Sequence, residues 1–420
     1  MTTLKYLETL GETKIDFEFS RSETLNSLIY KKLPVVTICG TNGKGSTTAL
    51  LENILIHAGY KVGAYTSPHL EHVRERIRIN GIAILDETFE RHGKDFMRLL
   101  EEKNVTPTYF EFLTFLALDI FQKENIDIAI FEVGLGGRLD SVNAIPRVGA
   151  VMTSISMDHQ NYLGDTLVKI TQEKLPIAQG APFSVIAKQT SDVEEYIETS
   201  LTQPHLTEGK DFQHSGSSEM FIYQKDTFRF GPIKLALRAD HQSSNAACAV
   251  TMAIYLQNKG WNISLKNIEA ALSTTTNPGR IEKWTGPCEL WLDVAHNLDA
   301  MEKLVQHLYT RDIVDFETVF GCASDKPWPA MIESPSHHTT FSLGPYPDTT
   351  HLESSIQLQD PIQCVEKLIS QNPTRILITG SFYHVGEIRK RLPDWGASNP
   401  LFSDSNPLSL EEAMLQSGRQ

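Results

Sequence analysis

The chain has 420 residues, 40% of them apolar, with 38 basic against 52 acidic side chains and a net charge of −14. That length holds about two to four domains and buries a sizeable core, which excludes disorder throughout. The acidic balance excludes a general nucleic-acid binder, whose affinity rests on clustered Lys and Arg, so an anionic ligand needs a local basic patch or a metal.

The N-terminal stretch MTTLKYLETLGETKID has charges spaced through it and no apolar core of signal-peptide length. Val35–Cys39 reads as a buried strand. Residues 46–58 read as a helix, with Leu50, Leu51, Ile54 and Leu55 at its apolar positions and Gly59 as its stop. Arg74, Arg76 and Arg78 alternate, so on a strand they would share one face. They would there hold substrate carboxylates or pair with acidic neighbours. Residues 109–121 are apolar almost all round and read as a buried helix; the apolar stretch 112–121 is about half of what a bilayer needs.

Residues 126–133 read as a second central strand and 148–155 as a third. Short alternating runs over 212–237 suggest antiparallel strands, and a helix follows from about 242 to 257. The polar, aperiodic STTTNPGR at 273–280 is the best linker. Beyond it, strands are expected at 290–293, 319–322, 339–343 and 376–379. Strands alternating with helices predict an α/β protein: a large domain with a parallel sheet over 1–276, and a smaller Rossmann-like domain over 281–420. The tail after about Pro393 is rich in Ser, Asn and Pro, with one short amphipathic helix expected at 408–415.

Five cysteines, Cys39, Cys248, Cys288, Cys322 and Cys364, are scattered singly. Neither a disulfide framework nor a zinc ribbon fits, so a reducing cytosol and a soluble cytoplasmic protein are expected. No membrane or nucleic-acid partner is expected, and nothing demands an oligomer, so a monomer is assumed.

Gly40-Thr41-Asn42-Gly43-Lys44-Gly45-Ser46 lies between the first strand and the helix, with Thr47 next. There, glycines let backbone N–H groups face an anion and the helix N-terminus adds partial positive charge. Lys reaches the outer phosphates, and a hydroxyl can hold Mg²⁺. Gly45 separates Lys44 from the hydroxyls, a departure from the common Walker spelling. The second strand ends in Glu132, followed by Gly134-Leu135-Gly136-Gly137-Arg138. A carboxylate at the C-terminal end of a central strand faces the ligand crevice of such a sheet, which makes Glu132 a natural Mg²⁺ ligand.

With these residues in view, the chain resembles the folylpolyglutamate synthase/dihydrofolate synthase family, relatives of the Mur ligases. The ordered motifs that carry the resemblance are Gly40–Thr47, Thr66-Ser67-Pro68-His69 with Glu75-Arg76-Ile77, and Glu132–Arg138 with Asp140 and Asn143. They continue with Asp158-His159, Leu163-Gly164, Glu173-Lys174, His241-Gln242 with Asn245, and Pro278-Gly279-Arg280. Asp293 with Ala295-His296-Asn297, Asp325-Lys326 and Thr379-Gly380-Ser381 complete the set. The resemblance implies an ATP-dependent ligase that joins L-glutamate to a carboxyl group through an acyl phosphate.

It further implies one Mg²⁺ on Ser67 and Glu132, and a second on Glu132, His159 and a carbamylated Lys174. Asn245, Arg280 and Asp293 would meet ATP, with His296 near the phosphates; the plain alternative for Arg280 is a hinge salt bridge. The family usually follows the modified Lys with Ala-Gly-Ile. Here Leu175-Pro176-Ile177 stands instead, and a proline in that place is expected to change how the helix ends. Leu298 likewise replaces a common Pro after His-Asn.

Lys14-Ile15-Asp16 resembles a segment that holds dihydropteroate in bifunctional members. Phe110-Glu111-Phe112 resembles the start of a helix lining the pterin region; core packing is the alternative for those two rings. Arg76 and Arg138 are further substrate candidates. A bifunctional enzyme acting on dihydropteroate and folates is the favoured reading, with a polyglutamate extender as runner-up. A Mur-type ligase acting on a UDP-linked muropeptide is disfavoured, because only 39 residues precede Gly40. An ATP-binding switch would not need Glu132, His159 and Lys174 together.

Overall fold

The computed structural model describes residues 1–12, 16, 18–313, 315–323, 326, 328–333, 339–341 and 360–399, with backbone alone at 332–333 and 339–341. Lys14, Ile15, Asp325 and the helix expected at 408–415 lie outside the described residues. The chain divides into two compact units, Met1–Asn277 and Pro278–Gln420, and the division falls inside the segment 273–280.

The first unit is built on eight strands. They are β1 (Val35–Cys39), β2 (Val62–Tyr65), β3 (Ile77–Ile79), β4 (Ile82–Ala83), β5 (Ile128–Glu132), β6 (Gly149–Met152), β7 (Ser184–Ile186) and β8 (His205–Thr207). Their order in the sheet is β4-β3-β2-β5-β1-β6-β7-β8. The six strands from β2 to β8 pair in parallel, and β3 and β4 add an antiparallel edge.

Alternation along each strand divides the core between two layers. Val35, Cys39, Phe131 and Met152 point into one, packed with Phe112, Phe115 and Leu116 of helix Tyr109–Lys123 and Ile170 and Ile177 of helix Leu167–Gln179. Val36, Ile38, Ile130 and Val151 point into the other, with Leu50 and Ile54 of helix Lys44–His57 and Ala246 and Val250 of helix His241–Asn258. Burial on both faces explains why these strands read as unbroken apolar runs. Each large side chain so buried contributes roughly 1.5–3 kcal/mol. Three antiparallel strands, β9 (Gln213–Ser215), β10 (Phe221–Lys225) and β11 (Phe228–Ile233), seat Phe221, Tyr223 and Ile233 in the second layer.

The second unit holds a five-stranded sheet of β12 (Glu282–Thr285), β13 (Glu289–Leu292), β14 (Glu317–Phe320), β15 (Thr339–Phe341) and β16 (Arg375–Thr379), in the order β12-β13-β16-β14-β15. Only β12 runs antiparallel to its neighbour. Beyond Pro393, Ser398 exchanges two backbone hydrogen bonds with Thr285 of β12 (2.8 and 2.9 Å). All five cysteines are buried and none forms a disulfide. No helix among the described residues is long and apolar enough to cross a membrane.

One local expectation is corrected. Arg74, Arg76 and Arg78 do not line one strand face, because Val73–Arg76 is a single 3-10 turn and β3 starts only at Ile77. The Glu75 carboxylate accepts the N–H groups of Leu70, Glu71 and His72 and winds the chain there. The three guanidiniums go to three different carboxylates: Arg74 to Asp86, Arg76 to Glu12 and Arg78 to Glu52. Pro176 stands inside its helix, which ends three residues on at Gln179. A proline within a helix takes away one N–H and disturbs the preceding turn. Two outside donors support the carbonyls here: the Arg138 N–H on Glu173 O (2.7 Å) and Arg147 Nη1 on Ile177 O (3.2 Å).

Candidate active site

Three loops leave the C-terminal ends of the adjacent strands β5, β1 and β6. The register sets Ile38 beside Glu132 and Cys39 beside Met152, so the loops begin side by side. The middle one is the phosphate loop. Gly43 sits at φ +90° and ψ −9° as the N-cap of helix Lys44–His57 and supplies no capping side chain. The helix thus presents its first N–H groups and the positive end of its dipole from a glycine turn. Thr41 N and Asn42 N donate to Ser154 O (2.9 and 3.3 Å), Thr41 Oγ1 to Ser156 O (3.2 Å), and Asn42 Nδ2 to Ser156 Oγ (3.0 Å). Lys44 Nζ donates to Thr41 O at 3.0 Å, which folds the ammonium over the loop. Ser46 and Thr47, in the first turn, are buried.

Asn245 closes this loop from above. It lies on helix His241–Asn258, its amide donating to Gln242 Oε1 at 2.9 Å. Its Oδ1 occupies the space a side chain on Gly43 would need, 2.3 Å from where a Cβ would stand. Gly43→Ala therefore meets both a left-handed backbone and a clash. Strain of this kind costs roughly 1–3 kcal/mol, so a rise of about tenfold or more in the KM for MgATP is expected. Steady-state kinetics on the variant checks this, and an unchanged KM would separate Gly43 and Asn245 from the nucleotide.

Glu132, the last residue of β5, is 4% exposed. Its Oε2 accepts the Ser67 N–H at 3.3 Å and lies 3.7 Å from a Cβ built on Gly45. One carboxylate thus joins the β2 loop to the start of the phosphate-loop helix. Asp140 fixes the loop after Glu132 by accepting the N–H groups of Gly134 and Leu135 (both 3.0 Å) and Val142 (2.9 Å). Burial pushes the Asp140 carboxyl up to about 6.

Lys174 is 5% exposed on helix Leu167–Gln179. Burial pushes its amine down to about 7, and the Lys44 ammonium acts in the same direction, against the thiol of Cys39 and the carboxylates of Asp158 and Asp140. A lysine on a helix is commonly solvated; this one is not. His159 begins the helical turn Gln160–Leu163 at φ +49°, its N–H on Asp158 Oδ1 (2.8 Å) and its ring 3.9 Å from Asp158 Oδ2. Its side chain is 38% exposed, the most open of this group. Among the described residues no three His, Cys, Asp or Glu side chains are grouped to hold a metal by themselves.

The remaining nucleotide candidates lie in the second unit. The buried Asp293, just after β13, accepts the N–H groups of Ile281 (3.0 Å) and Ala295 (2.9 Å). Burial raises its carboxyl and the Arg280 guanidinium opposes that rise. Arg280 lies over the Phe382 ring, 5.2 Å from its centroid. His296 packs against the same ring at 5.7 Å, with Nδ1 2.9 Å from Val294 O. Arg280 and His296 are thus brought together on Phe382, with Asp293 near Arg280.

The substrate candidates separate. Phe112 is fully buried, with ring partners Tyr6 (5.1 Å) and Phe96 (5.2 Å), so core packing accounts for it. Phe110 is half-buried, 5.9 Å from the Tyr65 ring and laid against Gly134, where a Cβ would stand 2.5 Å from it. Arg21 joins Asp16 (3.0 Å) to Glu111 (2.6 Å), so the two segments singled out for the pterin are tied to each other. Arg76 is 4% exposed and paired with Glu12, His69 and the face of Tyr109. Arg138 is half exposed and pairs with Glu173 at 3.0 Å.

Sequence reasoning missed Ser154 and Ser156, which hold the phosphate loop, and passed over Asp140 as an anchor. Ser154 and Ser156 carried one signal, a polar run straight after a central strand.

The model of the Mur ligase middle domain matches residues 38–253. The chain is 31% identical over 393 residues to the dihydrofolate synthase/folylpolyglutamate synthase of Bacillus subtilis (strain 168), covering 86% of this chain and 91% of that one. It is similar in structure to E. coli FolC in complex with DHPP and ADP, with a TM-score of 0.82, 25% identity and coverage of 94% of this chain and 98% of that one. A bifunctional folylpolyglutamate synthase/dihydrofolate synthase with Mn, AMPPNP and L-glutamate bound aligns with a TM-score of 0.80 and 26% identity over 94% of this chain and 98% of that one.

Proposed function

The chain belongs to the dihydrofolate synthase/folylpolyglutamate synthase family of Mur ligases, and from that premise we propose the reaction and the residues that perform it. It is an ATP-dependent ligase that adds L-glutamate to dihydropteroate and to the γ-carboxyl of folates. The acceptor carboxylate attacks the γ-phosphorus of ATP, giving an acyl phosphate and ADP. The glutamate amine then attacks the acyl carbon and inorganic phosphate leaves. The observation that carries this reading is Glu132, a buried carboxylate set between the Ser67 N–H and Gly45 of the phosphate loop.

The chemical problem is electrostatic. Two unit charges about 4 Å apart repel by roughly 4 kcal/mol at an effective dielectric near 20, and the γ-phosphate carries more than one. Lys44 and the N-terminus of its helix, which opens from the Gly43 turn, supply positive charge before the reactants arrive, which is where preorganised sites gain their rate. Asn245, Arg280, Asp293 and His296 are assigned to the nucleotide. On this reading residues 1–276 form the ATP-binding domain and 281–420 the ligase domain.

The donor set fits Mg²⁺. That ion favours oxygen ligands and is commonly held by one or two carboxylates plus substrate phosphates, which agrees with the buried Glu132 carboxylate beside Ser67. Ser67 and Glu132 would hold one ion, and Glu132, His159 and Lys174 a second; when bound, they neutralise phosphate charge. Lys174 suits carbamylation, since an amine titrating near 7 is largely unprotonated at cellular pH and can add to CO2 with loss of a proton. Asp16 and Phe110 are assigned to the pteroate side and Arg138 to a substrate carboxylate. The buried pairing of Arg76 supports a structural role for it instead. Five buried thiols outside any disulfide support a reducing cytoplasm.

The test is phosphate release from MgATP with dihydropteroate and L-glutamate, each omitted in turn, with product mass read in parallel. A product one glutamyl unit heavier, formed only with all three, is expected. Turnover with tetrahydrofolate alone as acceptor would reduce the protein to a polyglutamate extender. Phosphate release indifferent to both acceptors would overturn the ligase reading.

A further inference from the structure

We propose that Glu282 and Arg389 are positioning residues for Arg280, and that the helix Phe382–Arg389 clamps the segment 278–282 at both ends to aim that guanidinium. The inference rests on the assignment of Arg280 to the nucleotide. Glu282 opens β12 with its side chain fully buried. Its carboxylate accepts the Gly279 N–H (2.8 Å), the Trp284 indole N–H (2.8 Å), and Arg389 through Nη2 (2.9 Å) and Nε (3.1 Å). The Arg389 guanidinium also lies over the Trp284 ring at 5.5 Å. A planar fork held on a carboxylate and an aromatic face has one orientation, which a lysine cannot reproduce.

The segment held this way is not relaxed. Gly279 stands at φ +71°, and Ile281 at φ +48°, a region that β-branched residues avoid. Ile281 is kept there by its N–H bond to Asp293, while Val294 N donates to Gly279 O at 2.9 Å. Arg280 lies between these two residues. Its guanidinium rests on Phe382, at the first turn of the helix whose last residue is Arg389. Phe382 and Arg389 are seven residues apart, two helical turns, so they lie on one face. One rigid helix thus carries both the platform for Arg280 and the cation that fixes its backbone. A backbone bent against its preference and gripped at two points is a way to set one side chain's direction, and a glutamate this deeply buried is not needed merely to solvate Arg389.

The experiment is a double-mutant cycle on the full-length enzyme with Glu282→Gln, Arg280→Ala and the combination, measuring kcat, the KM of each substrate and Tm. Glu282→Gln is expected to raise the KM for MgATP by about tenfold with kcat changed by less than about twofold. In the Arg280→Ala background the same change is expected to add less than about twofold. Arg389→Lys is expected to retain part of the wild-type behaviour and Arg389→Met none of it. Additive effects, or a loss in Tm with no change in KM, would overturn the proposal. If Arg280→Ala leaves the MgATP KM unchanged, the nucleotide role of Arg280 falls. Positioning is then judged by the same cycle on whichever constant Arg280→Ala alters, and if it alters none, both fall. Should Glu282→Gln fail to fold, the cycle is closed with Arg389→Lys.

Discussion

Replacing Glu132 by glutamine is expected to lower ligation by about 10²–10³-fold, the loss found when one preorganised charge-stabilising group is removed from an active site. Glutamine keeps the shape and can still accept the Ser67 N–H, now 3.3 Å from Oε2. It removes the negative charge beside Gly45, and with it the ligand a hard divalent cation favours. The fold should stand, because Glu132 ends its strand rather than filling either apolar layer. Circular dichroism and Tm should therefore match the wild type while the single-turnover rate falls. A parallel titration with Mg²⁺ should show weaker saturation. Near-normal turnover in the variant would remove Glu132 from the mechanism and leave the phosphate loop without its acidic partner.

Lys174→Met is expected to abolish ligation and yet raise Tm by about 2 °C or more. The amine titrates near 7 in the fold against 10.5 for an ordinary lysine. Between those values the unfolded chain holds a proton that the native chain does not, so stability rises with pH over that window. Below pH 7 both states are protonated and the native state carries the whole cost of a buried ammonium. Methionine has similar length and no charge to bury. The gap in Tm between variant and wild type should be widest at or below neutrality and close as the pH climbs toward 10.5. Calorimetry in bicarbonate-free, metal-free buffer reads this directly. A lower Tm in the variant would mean that Lys174 is held by favourable contacts that outweigh its desolvation. Lys174→Ala offers a second view, since short carboxylates should restore part of its ligation if carbamate oxygens are what the lysine supplies.

Much of this was legible in the sequence, for reasons that can be named. A strand buried on both faces must be apolar throughout, so β1, β5 and β6 announced themselves as runs. A glycine-rich turn between strand and helix with a lysine in it has few other uses, so 40–47 was readable without coordinates. Glu132 was readable because a carboxylate ending a buried run has nowhere else to be. What failed depended on partners distant in the chain. Spacing alone placed the three arginines on one face, but the Glu75 carboxylate wound that segment into a turn. The helix around Pro176 takes outside donors from Arg138 and Arg147, which the local spelling Leu175-Pro176-Ile177 does not show. Ser154 acts through its carbonyl and Asp140 on the N–H groups of its neighbours, and a residue that binds backbone leaves little pattern in side-chain type. The strain at Ile281 was invisible for the same reason, since nothing in an isoleucine predicts a positive φ.

The latch between Thr41 and Ser156 joins residues 115 positions apart. During synthesis the phosphate loop therefore emerges long before the segment that shapes it. A nascent chain that stops short of β6 contains every residue of the motif and none of its anchors. A pocket built from residues 41–43, 154–156 and 245 is complete only once most of the first unit has been made. Pairing over such separations is typical of slow-forming parallel topologies. Nucleotide binding at this loop would therefore report on a finished domain rather than on the motif alone.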